Sequence, residues 1–103
     1  MPNQEMDSFK SKVIFILSHL PAGHVISYGE LAKQAGRPNN ARQVGKILKE
    51  LPKDTKLPWY RVVNSKRYIS FTEGTEAYRR QRSALEQEGW VISGQRLIIK
   101  EAP

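Results

Sequence analysis

The stretch Ser27-Tyr28-Gly29-Glu30-Leu31-Ala32-Lys33-Gln34-Ala35-Gly36-Arg37-Pro38-Asn39-Asn40-Ala41-Arg42-Gln43-Val44-Gly45-Lys46-Ile47-Leu48 decides the fold. Ser27, with Glu30 three residues later, matches the S-x-x-E capping box that starts a helix. Leu31, Ala32 and Ala35 recur on one helical face, and Gly36 stands where a helix ends on a left-handed residue. Asn39 or Asn40 caps a second helix with Val44, Ile47, Leu48 and Leu51 as its apolar face, and Pro52 bars continuation. Two short helices around a glycine-containing turn form a helix-turn-helix, the second being the recognition helix.

Upstream, Phe9, Val13, Ile16, Leu17 and Leu20 predict a helix over roughly 8–20, capped by Asp7 or Ser8 and stopped at Pro21-Ala22-Gly23. His24-Val25-Ile26 is short and β-branched. Downstream, Leu57 to Ser65 reads as extended chain that pairs with Tyr68-Ile69-Ser70-Phe71 in a wing-like hairpin. A helix over about 75–88 starts at Thr75, turns Ala77, Tyr78, Gln81, Ala84 and Leu85 inward, and ends at Gly89. Trp90-Val91-Ile92 and Leu97-Ile98-Ile99 make a terminal hairpin around the turn Ser93 to Arg96. The expected fold is mostly α with short β elements, a winged helix-turn-helix DNA-binding domain spanning residues 1–103.

Composition narrows the function. The 103 residues carry 17 Lys+Arg against 10 Asp+Glu, a formal charge of +7. Ten of those basic residues and only two acidic ones, Glu50 and Asp54, lie between Lys33 and Arg67. The excess therefore maps to the helix-turn-helix and the loop after it, and Arg42, Gln43, Lys46 and Lys49 fall on the exposed face of the recognition helix. A polyanionic partner, nucleic acid before membrane, is the expectation. The longest apolar run, Val13 to Leu17, is far short of the ~20 residues that span a bilayer, and the first residues do not resemble a secretory signal. A monomer in the cytoplasm, at a bacterial nucleoid or in a eukaryotic nucleus, is expected.

Cysteine is absent, which excludes disulfides, thiolate metal sites and a protein thiol as nucleophile. His19 and His24 have no carboxylate cluster beside them, so structural or surface roles are expected, with no metal and no cofactor. By pattern alone the chain is a basic helix-turn-helix domain. In Pro58-Trp59-Tyr60-Arg61-Val62-Val63-Asn64-Ser65, however, two aromatics and an arginine follow a proline. That run is either a strand with aromatics alternating between core and surface, or the wall of a pocket for an unstacked base.

Three motifs, Val25-Ile26-Ser27-Tyr28-Gly29-Glu30-Leu31-Ala32, Ala41-Arg42-Gln43-Val44-Gly45 and Pro58-Trp59-Tyr60-Arg61-Val62-Val63, occur in order with Gly36-Arg37-Pro38 between the first two. Together they resemble the O6-alkylguanine-DNA alkyltransferase family over residues from about 6 to 92. In those enzymes a Pro-Cys-His-Arg cysteine accepts the alkyl group. Trp59 occupies that cysteine's position, a replacement that resembles the alkyltransferase-like members of the family. Tyr60 stands where histidine is usual, and Leu51 where many of the enzymes carry asparagine.

The resemblance implies that Tyr28 crowds a phosphate and turns the target nucleotide out of the helix. It implies that Arg42 fills the space left in the duplex, while Ala41 and Gly45 let the recognition helix press into the minor groove. Gln43, Lys46 and Lys49 complete the DNA-binding face. The lesion pocket is expected from Trp59, Tyr60, Val62, Ser70 and Phe71, with Arg61 as an internal anchor and Asn64 as a hinge between helix-turn-helix and pocket loop. The implied function is non-enzymatic recognition of O6-alkylguanine in double-stranded DNA, marking it for nucleotide excision repair proteins. A winged-helix transcriptional regulator and an alkyltransferase with a non-cysteine acceptor are the rival readings.

Overall fold

Phe9, Val13 and Leu17 are completely or almost completely buried along one face of α1 (Gln4–Ser18). The computed structural model describes residues 4–100; residues 1–3 and 101–103, the ends of the expected 1–103 domain, lie outside the described residues. Asp7 and Ser8 lie within α1 and are not its caps, because Gln4, Glu5 and Met6 are good helix formers and carry it further back. The helix also stops short of residue 20. His19 N–H and Leu20 N–H donate to the carbonyls three residues earlier, tightening the last turn before Pro21.

The helix-turn-helix follows the sequence closely. β1 (Ile26–Ser27) leads directly into α2 (Tyr28–Gln34), whose first turn is capped by Glu30 N–H donating to Ser27 Oγ at 3.0 Å. At its end Gly36 takes φ +92° while Gly36 N–H and Arg37 N–H return to the carbonyls of Lys33 and Ala32. This paired closure is a Schellman motif, and a side chain at Gly36 would be strained there. α3 (Ala41–Lys49) begins after Asn40, which stands at the cap position but makes no side-chain cap bond. Leu31, Ala32, Ala35, Val44 and Ile47 pack with α1 in a first core.

The segment after Pro58 departs from the expected strand. Trp59–Arg61 forms a 3-10 turn, closed by Arg61 N–H donating to the Pro58 carbonyl at 3.1 Å. Only β2 (Val62–Val63) is extended, and it pairs in parallel with β1, Ile26 opposite Val62 and Ser27 opposite Val63. The expected wing between 57–65 and 68–71 is therefore corrected. A tight turn joins Asn64 to Tyr68, with Arg67 at φ +63°, and residues 67–69 then attach to the terminal hairpin instead. Leu97 N–H donates to the Arg67 carbonyl and Ile69 N–H to the Gln95 carbonyl at 2.7 Å.

α4 (Glu76–Gln87) is capped by Thr75, which accepts from Tyr78 N–H at 3.2 Å, and buries Tyr78, Gln81 and Leu85. β3 (Trp90–Ser93) and β4 (Arg96–Lys100) pair antiparallel, with a bulge between Val91 and Ile92. The turn between them is the two residues Gly94 and Gln95, not the four expected, because Ser93 and Arg96 already pair across the ladder. Val63, Ile69, Tyr78, Leu85, Trp90, Ile92 and Leu97 form a second core. Val62 belongs to the first core and Val63 to the second, so two successive strand residues, facing opposite ways, rivet the two together. The architecture is mostly α with short β elements, consistent with a winged helix-turn-helix. No helix among the described residues is long and apolar enough to cross a membrane.

One ion pair fastens this seam. Arg61 Nη2 lies 2.5 Å from Glu88 Oε2, with both side chains largely buried, and Arg61 Nη1 donates to the Leu20 carbonyl at 2.8 Å. Glu88 Oε1 also accepts from Gly23 N–H at 3.0 Å. Burial pushes the Glu88 carboxyl upward, but the hydrogen bonds from Arg61 and Gly23 and the arginine's charge outweigh it and hold the group below the usual carboxylate range. A lowered folded value means the carboxylate stabilises the fold above its unfolded value of about 4.3, and this support fades as pH falls through the folded value. Glu88→Gln, which strands the guanidinium, is expected to cost about 3 kcal/mol at pH 7. Urea denaturation across pH 2.5–7 checks both points: the variant's midpoint should lie lower at pH 7 and lose less on acidification than the parent's.

Candidate nucleic-acid interface

α3 presents its charged residues outward. Arg42, Lys46 and Lys49 are exposed, while Ala41, Gln43 and Gly45 are half-buried between them and the core. A Cβ at Gly45 would meet Tyr28 Cε1 at 3.9 Å, an ordinary van der Waals distance, so the protein itself has room for alanine there. The smallness of Gly45 is not a demand of the fold.

Beside α3 lies a cavity of about 350 Å³. One wall is Tyr28 of α2 with Gly45, Leu48 and Lys49 of α3; the opposite wall is Trp59, Ser70 and Phe71, with Gln81 between. The Trp59 and Phe71 rings meet edge to face, 6.4 Å between centroids at 76°. Tyr28 Oη and Ser70 Oγ share a hydrogen bond of 2.9 Å that joins the two walls. Aromatic faces next to a cationic helix suit a flat heterocycle attached to a phosphate chain.

Three of the five residues expected in the pocket, Trp59, Ser70 and Phe71, share this cavity, and Tyr28 of the flipping pair joins them. Tyr60 and Val62 are not among the residues lining this cavity. The Tyr60 ring meets Trp59 edge to face, 5.9 Å between centroids, and its hydroxyl donates to Glu88 Oε2 at 3.1 Å. Burial, and then the charge of Glu88, raise the Tyr60 phenol above its ordinary value, so it stays neutral near pH 7. Val62 is buried in the first core. Arg61 is an internal anchor, its guanidinium raised above the ordinary arginine value by its hydrogen bonds to Glu88. Asn64 Oδ1 accepts from Lys66 N–H and Tyr68 N–H and shapes the 64–68 turn. Arg42 lies outside the cavity wall, exposed near the start of α3.

The site also depends on two glutamines that sequence reasoning did not assign to it. Gln81, though charge-free, is 1% exposed on a helix whose other buried positions are Tyr78 and Leu85. Its Nε2 donates to the Tyr60 and Val62 carbonyls at 2.9 Å each, which fixes the amide's orientation, and Oε1 has no protein partner. Gln95 Nε2 donates to the carbonyls of Ile69 and Phe71, so the hairpin turn positions the Ser70–Phe71 wall. A polar residue at an inward helical position was the one available signal for Gln81; Gln95 in a turn offered none. His19 and His24 are both exposed, and among the described residues no cluster of three His, Cys, Asp or Glu is placed to hold a metal.

Residues 8–90 match the family described as 6-O-methylguanine DNA methyltransferase, DNA binding domain. The chain is 48% identical over 91 residues to a protein of Escherichia coli (strain K12) named DNA base-flipping protein, covering 88% of this chain and 69% of that one. It is 43% identical over 84 residues to alkyltransferase-like protein 1 of Schizosaccharomyces pombe, covering 82% and 78%. The crystal structure of S. pombe Atl1 in complex with damaged DNA containing O6-carboxymethylguanine is similar with a TM-score of 0.78 and 40% identity, over 90% of this chain and 83% of that chain.

The Gln81 amide provides a direct test of how the site is held. Gln81→Leu leaves the Tyr60 and Val62 carbonyls without these donors and is expected to cost about 2 kcal/mol. The urea midpoint should fall with an unchanged slope, since the same surface is exposed on unfolding.

Proposed function

The chain belongs to the family of the 6-O-methylguanine DNA methyltransferase DNA-binding domain, and from that premise we propose that it recognises O6-alkylguanine in double-stranded DNA without repairing it. The observation that carries the reading is the cavity beside α3, walled by Trp59 and Phe71 in a chain with no cysteine. Its volume lies within the range of small-molecule sites. Trp59 stands where the family enzymes hold their acceptor thiol. An indole has no lone pair able to displace an alkyl carbon, but it packs against one and excludes water.

In this reading Arg42, Lys46 and Lys49 bring α3 onto the DNA, Tyr28 turns the damaged nucleotide outward, and Arg42 fills the gap it leaves. Arginine suits that last role because its planar, permanently charged head both stacks and donates hydrogen bonds. The base enters between Tyr28 and Trp59 after the Tyr28–Ser70 hydrogen bond parts, and unstacking is least costly for a base already mispaired by its adduct. Gly45 and Ala41 keep the helix surface low enough for the minor groove. The bound protein, acting as a monomer, marks the site for nucleotide excision repair; that handover is supported by the family resemblance alone.

Matched duplexes containing guanine or O6-methylguanine test the reading at fixed salt. The methylated duplex should bind at least tenfold tighter, roughly 1.4 kcal/mol. Protein and DNA masses should be unchanged after incubation. Equal affinities would overturn lesion recognition, and an alkylated protein or restored guanine would overturn its non-enzymatic character. Arg42→Ala and Tyr28→Ala should each weaken lesion binding, and binding by the parent should fall steeply as salt displaces the phosphate contacts.

A second expectation separates the fold from the interface. Gly45→Ala should raise stability by about 0.8 kcal/mol through helix propensity, since the Cβ meets no steric barrier. The same variant should weaken DNA binding. Thermal denaturation and fluorescence anisotropy on one preparation should therefore move in opposite directions.

A further inference from the structure

Among the described residues Arg67 is the only one besides glycines with a left-handed backbone, at φ +63°. A Cβ makes that conformation unfavourable, and it persists where the surrounding structure over-determines it. Here the turn is bound at three points. Lys66 N–H donates to Asn64 Oδ1, Arg67 N–H to the Asn64 carbonyl, and the Arg67 carbonyl accepts from Leu97 N–H. Lys66 and Arg67 thus stand side by side on a fixed backbone, both exposed, and among the described residues neither makes an ion pair. Arg67 Cζ lies 5.8 Å from the centroid of the Trp90 ring, a contact that orients the guanidinium and uses none of its N–H donors.

The ladder sets this turn next to Tyr28. Val63 pairs with Ser27 across β1 and β2, so the turn starts one residue beyond that pair, and Tyr28 follows Ser27 directly. Ser27, Asn64, Ser65 and Arg67 line one groove of about 360 Å³ with Glu30 and Gln34 of α2. No residue of α3 lines it; Leu31, Ala32 and Ala35 of α2 pack with α3 in the first core instead. Glu30 is the one acidic residue of the groove, and its Oε1 accepts from Gln34 Nε2 at 3.3 Å. Negative charge therefore lies on the helix side and positive charge on the turn. Tyr28 is flanked by α3, whose Gly45 lies beside its ring, and by the turn carrying Lys66 and Arg67.

Building on the DNA-binding reading of α3 and Tyr28 above, we propose that Lys66 and Arg67 make a second contact with the DNA backbone, on the side of the extruded nucleotide away from α3. With the strand held on both sides of the rotating nucleotide, the push from Tyr28 turns that nucleotide instead of displacing the strand. The fixed turn presents both charges already ordered, so little freedom is lost on binding. Contacts to phosphate position the protein and read no base, so this pair acts on damaged and undamaged DNA alike.

Fluorescence anisotropy at a series of salt concentrations, on matched duplexes with guanine or O6-methylguanine, measures the contact. Each phosphate neutralised contributes about 0.9 to the slope of log affinity against log salt. Lys66→Gln and Arg67→Gln should each flatten that slope by about this amount on both duplexes, and the double variant by about twice as much. Arg67→Lys keeps the charge and gives up much of the indole contact, and it should keep the parental slope; thermal melts establish that all variants are folded. An unchanged slope in the double variant overturns the backbone contact. A loss in Arg67→Lys equal to that in Arg67→Gln overturns it for Arg67, leaving that residue as a cover for Trp90. A neutral methylphosphonate beside the modified guanine on its own strand, tried on either side, locates the contact: on one side it should weaken the parent and leave the double variant unaffected. Equal weakening of both proteins at each position overturns the placement. Equal affinity of the parent for the two duplexes defeats the lesion reading, while the slopes still decide whether Lys66 and Arg67 meet DNA.

Discussion

The Glu88 carboxylate holds together three parts of the chain that are far apart in sequence. It accepts from Gly23 N–H after α1, from the Tyr60 hydroxyl, and from Arg61 Nε and Nη2 at the end of the 3-10 turn. Arg61 in turn reaches the Leu20 carbonyl. A largely buried charge pair is tolerated only when good geometry and further hydrogen bonds offset its desolvation. Here both charges have such bonds. The consequence for the site is positional: with Arg61 fastened to Glu88 and Gln81 bound to the carbonyls on either side of it, the turn that carries Trp59 has little freedom.

The cavity lies at the junction of two cores because of that fastening. Val62 packs into the core of α1, α2 and α3, and Val63 into the core of α4 and the terminal hairpin. One wall of the cavity belongs to the helix-turn-helix and the other to the segment carrying Trp59 and Phe71, with the Tyr28–Ser70 hydrogen bond bridging them. That bond lies between exposed or half-buried groups and is replaceable by water at little net cost, so it does not bar entry. The deeper fastening at Glu88 is of another kind, a largely buried ion pair with further hydrogen bonds to both partners.

Two neighbouring aromatic residues, Trp59 and Tyr60, serve the site in different ways. Trp59 is an apolar wall that faces two cavities, while Tyr60 carries its polar end to Glu88. Burial, and then the charge of Glu88, raise the Tyr60 phenol above its ordinary value. The site thus has aromatic surface and cations around it.

Much of this was legible in the sequence where the governing physics is local. The Ser27 cap, the Gly36 terminus, the apolar faces of α2, α3 and α4, and the Thr75 cap all depend on neighbours within one or two turns, and all appear in the structure. The concentration of basic residues between Lys33 and Arg67 is likewise readable without coordinates. What the sequence could not settle was the segment from Pro58 to Phe71: β-branched and aromatic residues there fit a strand, yet most of it is a 3-10 turn and a tight loop. Tertiary structure decided that, because Arg61 finds Glu88 27 residues on, Gln81 reaches back 21 residues to Tyr60, and Gln95 reaches back 24 to Phe71. Bonds of that span leave no periodicity in the chain, so helices and charge were determined locally, whereas the cavity exists only once the two cores have docked.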